Sequence, residues 1–107
     1  MKGMRDLNKL MKQAQQMQAK MAELQEELGE RELTATAGGG VVEAVVNGRH
    51  ELKSIKIKPE VVQPDDVEML EDLILAAVNE AHRQAEEMMR TEMEKATGGM
   101  GGMPGMF

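Results

Sequence analysis

The sequence predicts an α+β fold in which two long helices flank a three-stranded antiparallel sheet, in the order α-β-β-β-α. Three observations carry this reading. Leu7, Leu10, Ala14, Met17, Met21, Leu24 and Leu28 step by 3, 4, 3, 4, 3 and 4, a heptad repeat that keeps one narrow seam facing a partner helix. From Glu32 the apolar period drops to two, and Asn47-Gly48 supplies a hairpin signal. From Val67 a broader apolar stripe resumes helical spacing.

The first helix is expected from Met4 to about Leu28, with residues 1–3 frayed. It is rich in Gln, Lys, Glu, Ala and Met, all good helix formers, and Gly29 is the expected stop. Leu33, Ala35 and Ala37 alternate with Thr34 and Thr36 as a first strand. Gly38-Gly39-Gly40 makes a flexible turn. Val41–Val46 is a second, β-branched strand. Asn47-Gly48 turns the chain tightly, because both residues accept positive φ. His50–Ile57 is the third strand, in which Leu52 is out of phase with Ile55 and Ile57. A bulge, or burial of parts of both faces, accounts for that.

Lys58-Pro59 ends the strand, and Pro64-Asp65-Asp66 opens the second helix. Asp65 is the expected N-cap, with Glu68 three residues on as in a capping box. The stripe Val67, Leu70, Leu73, Ile74, Ala77, Val78, Ala81, Ala85, Met88 and Met89 is broad enough to cover a sheet. Residues 1–97 therefore read as one domain. Residues 98–107, GGMGGMPGMF, read as a disordered low-complexity tail, either inert or an adaptable Met-rich tether.

Composition narrows the function classes. With no cysteine among 107 residues, disulfide, thiolate and Cys-zinc chemistry are excluded. No apolar run reaches the ~20 residues of a membrane span, and no signal-peptide h-region opens the chain, so it reads as cytoplasmic and soluble. Twelve Met and one aromatic, Phe107, make a thin core for two long helices. This favours oligomerisation.

The net charge of −6 is unevenly spread. Residues 1–20 carry five bases against one acid, and residues 48–58 carry four against one. Residues 21–47 and 59–107 are acidic. Local clusters of this kind set where an anion docks. Arg5, Lys9, Lys12, Gln16 and Lys20 form a stripe roughly 130° round the helix from the seam, with Lys2 nearby. Phosphate contacts from such a stripe are the main source of DNA affinity. Asn8, Gln13, Gln15, Gln16 and Gln18 add hydrogen-bonding groups. The competing reading is a solvated helix face. Arg49, Lys53, Lys56 and Lys58 are a second candidate group, with sheet-edge protection as the alternative. Lack of an aromatic platform argues against single-strand readers and leaves duplex DNA.

Nothing points to an enzyme, a metal, a cofactor or a small-molecule substrate. Ser54 is the only serine and lies amid lysines. His50 and His82 lie in different elements, and His82 has Asn79 rather than Glu three residues before it. No Lys-Ser/Thr follows the glycine turn, so it is not a phosphate loop.

MKQAQQMQAKM (Met11–Met21), GGGVVEAVVNG (Gly38–Gly48), LKSIKIKPEVV (Leu52–Val62), VEMLEDLILAAVNEA (Val67–Ala81) and the closing GMPGMF resemble the YbaB/EbfC nucleoid-associated proteins, in the same order and over nearly the whole chain. The resemblance implies a homodimer whose long helices project from a sheet body. It also implies a cytoplasmic bacterial protein that binds DNA, alters its conformation and associates with the nucleoid. It carries no catalytic signature. The alternative is a coiled-coil-like protein-interaction adaptor without a direct DNA role.

Overall fold

The structure, a computed structural model, describes residues 2–98, with Lys2 described by its backbone alone. It has α1 (Lys2–Glu30), β1 (Glu32–Ala37), β2 (Val42–Asn47), β3 (Leu52–Ile57), a 3-10 turn (Pro59–Val61) and α2 (Val67–Gly98). The strands form one antiparallel sheet in the order β1-β2-β3. The expected α-β-β-β-α architecture is therefore the observed one. Gly98, expected in the tail, is instead the last residue of α2, and the rest of the expected tail, residues 99–107, lies outside the described residues.

Alternation decides the inner face. Val42, Ala44 and Val46 of β2 are fully buried. The register places Ala37, Ala35 and Leu33 of β1 beside them. α2 lies across β1 and β2, pressing Ala77, Ala81 and Ala85 into the sheet with no exposure. Small side chains there let the helix approach closely, and Leu70, Leu73, Ile74 and Val78 fill the margins. On the same inner face, Leu52, Ile55 and Ile57 of β3 pair with Val46, Ala44 and Val42. α2 packs over β1 and β2 and leaves all six residues of β3 exposed.

The out-of-phase Leu52 has its cause in a β-bulge. The register shifts between Val45 and Val46, so that Val45 pairs with Ser54 and Val46 with Leu52, leaving Lys53 as the extra residue. The insertion restores Leu52 to the inner face.

Four local expectations are corrected. α1 does not stop at Gly29 but runs to Glu30, because Gly29 is packed beneath the Arg49 side chain rather than serving as a left-handed cap. The β2–β3 connection is not a tight Asn-Gly turn. Asn47 N–H donates to Glu51 O and His50 N–H to Asn47 O, enclosing a three-residue loop in which His50, with φ 66°, takes the left-handed position. β3 consequently starts at Leu52, and His50 is outside it. Asp66, not Asp65, caps α2, accepting the Met69 N–H at 3.1 Å.

The shape is drawn out. The radius of gyration is 21.4 Å, against about 13 Å for a compact domain of this length. Accessible surface is 8067 Å², against about 5,900 Å² for a compact chain of this mass. Part of the excess lies in α1. Leu28 is fully buried and Leu24, Met21 and Met17 are half-buried. Leu7 and Leu10, on the same seam, are 57% and 62% exposed. α1 is thus an arm rooted at its C-terminal end.

Candidate nucleic-acid interface

Arg5, Lys9, Lys12, Gln16 and Lys20 all lie exposed on α1, in a line from near its free end to past its middle. Among the described residues, no ion pair within 4 Å engages the four cations. Lys2 belongs to the same helix, with its side chain outside the described residues. The acids Glu23, Glu26, Glu27 and Glu30 gather at the other end of α1.

This arrangement opposes the helix dipole. An N-terminal turn favours acids and a C-terminal turn favours bases. The first turn of α1 contains no acid and its last turn no base. α2 has the favourable order, with Glu68 first and Lys95 last. Each misplaced charge near a terminus costs about 0.3–1 kcal/mol at low salt. A bound polyanion reverses that cost, since both the cations and the exposed N–H groups of the first turn attract it.

The second basic group is built differently. Lys56 stands opposite Glu43 on the outer face of the sheet, with Nζ 4.0 Å from its carboxylate. Lys53 is the bulge residue. Lys58 follows β3, its N–H donating to Val41 O at 2.9 Å. Arg49 is held in an ion pair. Its guanidinium donates to Glu30 at 2.7 Å and lies 3.9 Å from Glu51. The hydrogen bond to Glu30, then its charge, raise the Arg49 pKa.

The two groups do not converge. α1 joins the body where Leu28 meets Gly48, and Lys58 sits at the other end of the sheet, beside Val41. Arg5 lies about 35 Å up the helix from Leu28.

One juxtaposition is invisible in the sequence. The His50 and His82 rings meet edge to face with centroids 5.5 Å apart, and His82 Nε2 lies 3.2 Å from the His50 carbonyl. Their separation of 32 residues gives no periodic signal. Among the described residues, no cluster of three or more His, Cys, Asp or Glu is placed to hold a metal ion. No described helix is long and apolar enough to cross a membrane.

Residues 3–100 match the model of the YbaB/EbfC DNA-binding family. A nucleoid-associated protein of Acetivibrio thermocellus is 61% identical over 102 residues, covering 95% of this chain and 90% of that one. Another, from Clostridium novyi, is 56% identical over all of this chain and 93% of its own length. Among solved structures, an uncharacterized protein from Helicobacter pylori shares the fold, with a TM-score of 0.68 at 23% identity over 80% of this chain and 90% of that one. The chain belongs to the YbaB/EbfC DNA-binding family.

Proposed function

We propose that this protein is a homodimeric architectural component of the bacterial nucleoid. It grips duplex DNA chiefly through phosphate contacts from the cationic stripe of α1 and alters the path of the duplex. The observation that carries this reading is the row Arg5, Lys9, Lys12 and Lys20, exposed along α1 and, among the described residues, engaged in no ion pair. Gln13 and Gln16 on the same arm supply additional donors for phosphate or base edges. Lys53, Lys56 and Lys58 form a secondary basic surface on the body. The names of the bacterial relatives support the nucleoid assignment.

The uncovered face of β3 supports a dimer. Leu52, Ile55 and Ile57 are 47%, 36% and 36% exposed, and Leu75 on α2 is 59% exposed. A second copy seated on β3 buries that face. Two arms on one body then raise the effective concentration of weak phosphate contacts, and two basic surfaces at fixed spacing bend or bridge a duplex.

The test is charge reversal at Lys9 and Lys12. The Lys9→Glu, Lys12→Glu variant should weaken binding to every duplex sequence alike and lower the salt dependence by about one unit per lost contact. Unchanged affinity would remove α1 from the interface.

A further inference from the structure

The root of the arm is built from few parts. Leu28 is fully buried, Gly29 is buried, and Gly48 lies directly on the Leu28 carbonyl. The Arg49 side chain crosses Gly29, so that a Cβ at 29 would stand 3.1–3.2 Å from its Nε, Cγ and Cζ, and ends on the Glu30 carboxylate at 2.7 Å. The base of this strut is fixed by Asn47, only 2% exposed. Asn47 Oδ1 accepts the backbone N–H groups of Arg49 and Glu51, both at 3.0 Å. Its amide donates to the Glu51 carboxylate at 2.6 Å. A buried, satisfied side chain thus holds the loop, and the loop's arginine holds the last turn of α1.

Leverage makes the angle at this root matter. A tilt of 10° there moves Arg5, about 35 Å away, by about 6 Å, nearly two phosphate steps at ~3.4 Å per nucleotide. The other half-buried contacts of the arm include Met17 and Met21, whose flexible thioethers leave an angle weakly specified.

We infer that Arg49 is a positioning residue. Through Glu30 it sets the angle at which α1 leaves the body, and so the spacing of the phosphate contacts. The inference rests on the DNA-binding role proposed for α1.

The full chain contains no cysteine, so spin labels can be placed at Gln13→Cys on the arm and Thr34→Cys on β1. Distances are measured without DNA, in an excess of unlabelled chain. Arg49→Ala and Glu30→Gln should each broaden the distribution, and Arg49→Lys should partly restore it. Duplex affinity of the first two should fall roughly three- to tenfold with an unchanged salt slope. Arg49 is 44% exposed, so these variants are expected to fold, which circular dichroism checks. The inference is overturned if the distribution stays narrow in Arg49→Ala, or if it broadens without loss of affinity. A direct phosphate contact would instead lower the slope by about 0.9 in Arg49→Ala, while Glu30→Gln strengthened binding by freeing the guanidinium. If the parent chain binds no duplex at all, the DNA-binding role fails, and the distances still judge the strut.

Discussion

Gly48 is packed so tightly against Leu28 that a Cβ on the glycine would collide with the leucine's carbonyl oxygen and stand 2.8 Å from its carbonyl carbon. Gly29 Cα would lie at 3.1 Å. These are backbone atoms, and no rotamer relieves them. The last turn of α1 and the loop after β2 are as close as two backbones allow. Gly48→Ala should therefore destabilise the fold by about 1–3 kcal/mol, as overpacking does. The melting temperature should fall about 4–8 °C per kcal/mol, read by thermal denaturation.

Glu51 gives the same loop a pH dependence. The hydrogen bond from Asn47 holds its carboxyl below the ordinary value of 4.5. Desolvation opposes this, and the Lys53 and Arg49 charges reinforce it. A carboxyl depressed in the folded state contributes stability above its unfolded value, and that contribution is lost as pH falls through the folded value. Glu80, hydrogen-bonded by Arg83, acts in the same direction. Glu51→Gln should make the loss of stability below pH 4.5 shallower without abolishing it. Urea midpoints at a series of pH values measure this.

Asn47 itself has a larger effect at neutral pH. Asn47→Ala leaves two backbone N–H groups without their acceptor and should cost about 1–3 kcal/mol. Urea unfolding at pH 7 reads the loss.

The β3 face carries the dimer prediction. Ile55→Glu with Ile57→Glu places two charges where the single chain leaves both side chains 36% exposed. The monomer tolerates them and an apolar interface does not. Sedimentation equilibrium should show twice the chain mass for the parent and one chain mass for the variant, with helix content kept. A variant that remains dimeric would move the interface elsewhere.

Much of the fold was legible because its signals are periodic. The heptad of α1, the alternation of β1 and β2, the stripe of α2 and even the bulge implied by Leu52 are patterns along the chain. Misread points were tertiary. Gly29 carries the mark of a helix end but serves as a bed for Arg49. Asn47-Gly48 carries the mark of a two-residue turn, but Gly48 is glycine because Leu28 leaves no room, and His50 takes the positive φ. For the candidate site, the sequence carries the spacing of the charges and not their use. Charge spacing was enough to line up Arg5, Lys9, Lys12 and Lys20 on one exposed face. It could not separate Arg49 from the lysines after it, because Glu30 lies nineteen residues away.

The measurement that tests the account most directly is duplex DNA binding by fluorescence anisotropy across a salt series. Four cations on each of two arms predict that log K falls linearly with log salt, with a slope steeper than −1 and reaching about −7 if all eight engage phosphates. A slope near zero, or no binding at the lowest salt, would contradict the account and leave the stripe of α1 as ordinary solvated surface.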